Sequence, residues 1–297
     1  MSSRREWLVV LRRAVRTPRG AVGLAIVALI VLLAVIGPFV APYSPTDSVT
    51  AAFAPPSSAY PLGGDVLGRD VLSRVLAGGW LLLAVAAGAT AIGVLMGIVL
   101  GISAAYLGRV TDGVIMRIVD VVLAFPQLVF ALLLVSVLGP HVWLILLAVG
   151  VSHAPPVARV VRASALDVCE RDFVRAVELL DAPAWRVMLG EVLPNLISVV
   201  MVEVGLRLTY SILIIASMSF LGFGLQPPAP NWGLMINENR IGLEANPWAV
   251  VVPTLLIAVL TVGMNTFTDA VARASLGVDR PLEEQRALAG ALSLEGS

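Results

Sequence analysis

Six long apolar runs, at residues 21–41, 80–106, 118–138, 141–160, 195–220 and 248–268, decide what this chain can become. A stretch of about 20 apolar residues, rising 1.5 Å per residue as a helix, crosses the roughly 30 Å of hydrocarbon in a bilayer. Unpaired backbone is not tolerated there, and no run shows the two-residue alternation of a barrel strand, so each is expected to be a helix. Composition agrees: 58% of the 297 residues are hydrophobic, 13% are charged and mean hydropathy is +0.93, which leaves little chain for a soluble domain. The expectation is an all-α integral membrane protein with six transmembrane helices. The first run follows RREWLVVLRRAVRTPRG, which looks like the basic start of a signal peptide. Its apolar part is too long and lacks a good A-x-A site, so we read a retained span.

All 20 basic side chains are arginines. Without a lysine the chain cannot form a Walker A phosphate loop. A single cysteine, Cys169, excludes an internal disulfide, and His141 and His153 have too few companions for a metal cluster. No nucleophile and base can be assembled at usable spacing, which argues against an enzyme. Net charge is zero, so nothing attracts nucleic acid globally, but the arginines are unevenly placed. With a cytoplasmic N-terminus, 16 of them lie in inside segments against 3 outside, namely Arg69, Arg74 and Arg240, with Arg207 inside a span. Both termini are then cytoplasmic, and segments 42–79 and 221–247 face outward.

The same orientation puts a charged, amphipathic island at 163–195 on the cytoplasmic side. Leu166, Phe173, Val177 and Leu180 recur at spacings that stack on one helical face, with Asp167, Glu170, Arg171, Arg175 and Glu178 around the rest. Asp181-Ala182-Pro183 breaks that helix, and a second short one carries Trp185, Met188 and Val192 to Leu193-Pro194-Asn195. Such an island either lies on the lipid headgroups or is gripped by a partner protein.

A helix, a turn and LPN in this order resemble the EAA loop of inner-membrane permease subunits in binding-protein-dependent ABC importers. From about residue 20 to 280 the chain resembles the dipeptide/oligopeptide permeases of that group, through LGGDVLGRDVLSRVLAGG at 62–79, MRIVDVVLAFPQLVFALLL at 116–134, ARVVRASAL at 158–166 and SFLGFGLQPPAPNWG at 219–233. The resemblance implies a type I ABC-importer permease fold in the bacterial inner membrane. It also implies a homologous permease as heterodimer partner, two ABC ATPase domains and an extracytoplasmic substrate-binding protein. No cofactor is implied on this chain, and ATP and Mg belong to the ATPases. Carried onto these residues, it makes Phe173, Arg175, Ala176, Val177, Glu178, Leu180, Asp181, Pro194 and Asn195 the ATPase-coupling set, on a helix spanning 166–182. Departures are Arg175-Ala176-Val177 where the family reads Glu-Ala-Ala, Asp181 where it has Gly, Gly64 for Thr and Trp80 for Arg. Asp is among the few residues other than Gly that accept a left-handed turn. Peptides are the implied cargo, with nickel or another small solute as the alternative. A self-contained ion-coupled carrier is the rival class, although neither internal repeats nor midplane coordinating groups are evident.

Other features carry two readings each. Gly93, Gly97 and Gly101 make a small-residue ridge for helix contact within the bundle or across to a second subunit. Glu203 and Arg207, four residues apart in the fifth span, can pair. They either line the translocation path or subunit interface or neutralise one another structurally. Asp120, Pro126 and Gln127 suggest a kinked third span, serving as a gate or as packing, with Gln127 a path candidate. Pro227, Pro228 and Pro230 stiffen the outer loop, and Trp232 and Trp248 suit the outer interface. Cys169 and both histidines are read as structural. The expected division is a basic N-terminal segment at 1–20, a permease domain at 21–280 with coupling loop 161–194, and a mobile tail at 281–297.

Overall fold

A computed structural model describes residues 6–276. Arg4, Arg5, Arg280, Arg286 and the tail expected at 281–297 lie outside the described residues. In chain order the helices are α1 (Glu6–Arg16), α2 (Pro18–Val40), α3 (Val71–Ala77), α4 (Trp80–Leu107), α5 (Arg109–Leu123), α6 (Gln127–Leu138), α7 (Val142–Cys169), α8 (Asp172–Leu179), α9 (Ala184–Val187), α10 (Leu193–Asn195), α11 (Ile197–Phe220), α12 (Trp232–Asn239) and α13 (Trp248–Ser275), with a π-helical turn at Met188–Val192. There is no strand among the described residues; the segment between α2 and α3 carries two isolated bridges, Ser48 to Arg69 and Gly64 to Asp70.

Five of the apolar runs become unbroken helices long enough to cross a membrane: α2, α4 with α3 ahead of it, α7, α11 and α13. The run at 118–138 does not. It divides into α5 and α6, bent by 80°, so six crossings are reached by counting this pair as one broken span. Pro126 causes the break, since it has no N–H to donate and disfavours helical backbone at Phe125 before it. α6 restarts immediately, with the Phe130 amide donating to Pro126 O at 2.9 Å.

The glycine ridge packs inside the chain. A Cβ at Gly93 would lie 2.6 Å from Gly150 O, one at Gly97 3.0 Å from Ala154 O, and one at Gly101 2.7 Å from Ala158 O. Bare Cα atoms on α4 therefore let α7 approach to backbone contact. The main core joins α2, α3, α4, α6, α7, α11 and α13 around Leu82, Ile145, Ile212, Ile215, Met218 and Leu260. A second core joins α4 and α7 to the island. In a small third one, Ala14 of α1 packs against Ala270, Val271 and Ala274 of α13.

Two sequence expectations are corrected here. Trp232, expected at the membrane interface, is 0% exposed; its indole N–H donates to Val75 O at 2.8 Å, and its ring lies against Gly78 and Gly79. Trp248 is half-exposed. The 166–182 coupling helix is not continuous: α7 runs on as far as Cys169, a break follows at Glu170 and Arg171, and α8 begins at Asp172.

Candidate functional site

The break at 170–171 resets the helical phase of the island. Val174, fully buried, and Val177, half-buried, point inward against Val161, Ala165 and Val168 of α7 and Val187, Val192 and Leu196 beyond the turn. Phe173 at 37% exposure, Leu180 at 81%, and Arg175 and Ala176 point outward. Leu166 and Val177 thus share a face that Phe173 and Leu180 do not, which corrects the single apolar face expected from spacing. Leu179, 87% exposed, was missed; together with Leu180, Trp185 and Leu189 it leaves large apolar side chains uncovered on an otherwise charged element. Exposed apolar side chains grouped on a charged element are the kind of surface that suits a contact with another molecule.

Asp181 makes the turn, with φ +60°. Its backbone is left-handed, as expected for a residue standing where the resembling family has Gly, and Asp tolerates that conformation because its short side chain can bond locally. Pro183 then opens α9, and the π turn leads to α10, where the exposed Asn195 side chain donates to Glu191 O at 2.7 Å and Pro194 is half-buried. Behind the island the Glu178 carboxylate lies against the Tyr106 hydroxyl at the end of α4. Asp112 and Asp120 of α5 pair with Arg162 and Arg159 of α7, the latter pair at 2.5 Å. Every helix reaching this end of the bundle from α4 to α7 is thus tied directly or through a neighbour to the island.

The hinge between α5 and α6 is held by α7. Pro156 lacks the N–H that would bond Ser152 O in an unbroken helix. The Gln127 side chain donates to that oxygen instead, at 2.9 Å, from the first residue of α6. Gln127 thus bonds to α7, while the pair Glu203–Arg207 closes on itself within α11. Glu203 is buried and accepts from Arg207 Nε at 3.0 Å, while the guanidinium carbon of Arg207 sits 5.4 Å from the centroid of the Tyr210 ring. The pair is self-neutralised within α11.

At the opposite end of the bundle lies an ion cluster not foreseen from the sequence. Asp65 accepts from Arg69 Nε at 2.7 Å and from Arg74; Glu238 of α12 accepts from Arg69 at 2.8 Å and from Arg74 at 3.0 Å. Asp65, Arg69 and Arg74 are buried. Burial pushes the Glu238 carboxyl above its usual range, with Arg69 opposing and Asp65 reinforcing that shift. Around the cluster, Asn239 accepts from the Val66 amide and Asn246 donates to Leu62 O and Gly64 O, all at 2.9 Å, so segment 62–77 is stitched to segment 231–246. Of the three arginines counted as outside residues, Arg240 is exposed, while Arg69 and Arg74 are structural ions. Their signal in the sequence was the close spacing of Asp65, Arg69 and Arg74 within one of the resembling motifs.

Known proteins share this arrangement of sequence. The family described as the binding-protein-dependent transport system inner membrane component matches residues 97–276, and the N-terminal TM domain of oligopeptide transport permease C matches residues 6–56. The chain is 33% identical to a dipeptide transport system permease protein of Haemophilus influenzae, over 84% of this chain and 88% of that one. It is 35% identical to a di/tripeptide transport system permease protein of Pseudomonas aeruginosa, over 84% and 86%, and 36% identical to a glutathione transport system permease protein of Pectobacterium atrosepticum, over 72% and 71%.

Proposed function

The chain belongs to the family of binding-protein-dependent transport system inner membrane components, and from that membership we propose that it is a permease subunit of an ATP-driven importer of dipeptides or oligopeptides. The observation that carries the mechanism is the island: an apolar outer surface of Phe173, Leu179, Leu180 and Trp185 on a charged element whose inner face is fixed to α7 and α11 by Val174, Val187, Val192 and Leu196. An ATPase gripping the outer surface moves the inner one with it, because close-packed interiors transmit displacement rather than absorb it.

In this reading the chain forms half of the path, with a homologous permease as the other half. Two ATPases, carrying ATP and Mg, sit on the cytoplasmic side, and a binding protein delivers peptide from outside. Both termini and the 161–194 loop are cytoplasmic within a permease domain of 21–280, in a bacterial inner membrane, as the arginine bias favours. No residue of this chain performs bond chemistry. Phosphoryl transfer takes place on the partner chains, and ATP-driven closure exposes the path alternately to each side. Gln127 acts as a positioning residue at the α5–α6 hinge, and Glu203–Arg207 as a rigid polar anchor in α11.

Nothing in the fold favours an ion-coupled carrier. The test is uptake of a labelled dipeptide into proteoliposomes. The full set of permeases and ATPases with binding protein should accumulate it only with ATP on the ATPase side, and the purified chain alone should neither hydrolyse ATP nor accumulate peptide. Gradient-driven uptake by the chain alone would overturn the proposal.

A further inference from the structure

Where α1 meets α2 the chain builds a cavity of about 630 Å³ against the end of α13, whose mixed lining sets Thr17, Arg19, Thr266, Asp269 and Arg273 beside Pro18 and Ala270. The turn that shapes it is fixed. Thr17 Oγ1 donates to Ala14 O at 2.7 Å and accepts from the Gly20 amide at 3.0 Å, and a Cβ at Gly20 would fall 2.0 Å from Ala14 O. α1 is amphipathic: Val10, Leu11 and Ala14 pack toward α13, Trp7, Leu8 and Val15 are exposed on the same broad apolar side, and Arg12, Arg13 and Arg16 take the other. A helix of this kind lies in the plane of the headgroups, which sets the cavity at their level. One turn deeper, Val22 of α2 and Val262 of α13 are exposed at 56% and 61%, an apolar surface suited to acyl chains.

We propose that this cavity binds the phosphate headgroup of an anionic phospholipid, with Arg19 and Arg273 as its cationic ligands and the acyl chains along Val22 and Val262. Guanidinium groups from two helices, at a cavity between membrane helices, supply the planar donors that a phosphate prefers. Asp269 on the same wall opposes the anion and limits its affinity. Inorganic phosphate shares the headgroup's chemistry but would gain nothing from the apolar surface below.

The test uses the full-length chain in nanodiscs of phosphatidylcholine doped with phosphatidylglycerol, with retained lipid identified by native mass spectrometry. Wild type should retain phosphatidylglycerol in preference to phosphatidylcholine. Arg19→Gln and Arg273→Gln should each weaken that retention about fivefold, the equivalent of roughly 1 kcal/mol per arginine at a membrane surface. Asp269→Asn should strengthen it. All three side chains are exposed, so the thermal midpoint in detergent should stay at the wild-type value. Unchanged retention in the double arginine variant, or no preference over phosphatidylcholine, would overturn the proposal. Displacement of the lipid by millimolar inorganic phosphate would reassign the cavity to a free anion and overturn the lipid assignment.

Discussion

At the scale of single residues, Asp181 shows how a departure from family usage is absorbed. A left-handed backbone costs a residue with a branched Cβ about 1–2 kcal/mol, Gly little, and Asp an intermediate amount. Asp181→Gly should therefore leave amide exchange across residues 172–187 as slow as in wild type or slower, and Asp181→Val should speed it several-fold. Equal exchange in wild type and the Val variant would mean that the turn is not held at φ +60°. This turn was legible in the sequence because Asp-Ala-Pro ends a helix by local chemistry. The direction in which Phe173, Val177 and Leu180 point was not, since a two-residue break upstream shifts every later side chain around the axis. Spacing rules assume a helix that never stops, and α7 stops at Cys169. Trp232 misled for a different reason: an indole beside prolines in a loop suits an interface, but Gly78 and Gly79 leave a slot that only the folded chain reveals.

At the scale of elements, the starts of α2, α4, α7, α11 and α13 were read within three residues because each opens a long apolar run, while α7 and α13 continue past their apolar ends to Cys169 and Ser275, and the bend at Pro126 was read because proline cannot continue a helix. What could not be read is the partner of each freed group. The bond from Gln127 to Ser152 O joins residues on different helices, and only tertiary packing brings them together. The outer ion cluster was hidden for the same reason, since loop charges are exposed by default and these are sealed by α12. Removing one member of a buried ion set leaves its partners uncompensated, at a cost of about 3–5 kcal/mol. Asp65→Asn leaves Arg69 and Arg74 to share Glu238 alone. It should lower the thermal midpoint of the detergent-solubilised chain and make segment 221–247 the first site of proteolytic nicking. A wild-type midpoint and digestion pattern would show that the cluster does not hold the outer segments together.

For the whole molecule, membrane class comes from a simple sum over the chain, which is why it was legible without any contact being known, and the arginine sum turns into a prediction of orientation. With the N-terminus inside, single cysteines at Ser57 and Ala182 in a Cys169→Ser background should respond oppositely to an impermeant thiol reagent applied outside: the first labelled, the second protected. Labelling at Ala182 would invert the assignment of the island to the cytoplasm. The division of labour proposed between chains is a further whole-molecule property, and it rests on the island's two faces. Val174 is spent on holding this chain together, while Phe173 and Leu180 are free to meet another. Replacing either exposed residue by Asp leaves the second core intact but puts a carboxylate into any apolar contact made there, where an unpaired charge costs far more than a lost methylene. The direct measurement is capture of the ATPase subunits by tagged Phe173→Asp and Leu180→Asp chains, read against membrane abundance of the same variants. Wild-type abundance with ATPase capture reduced at least about tenfold, a loss of roughly 1.4 kcal/mol, is expected for docking at the island. Wild-type capture by both variants would contradict it.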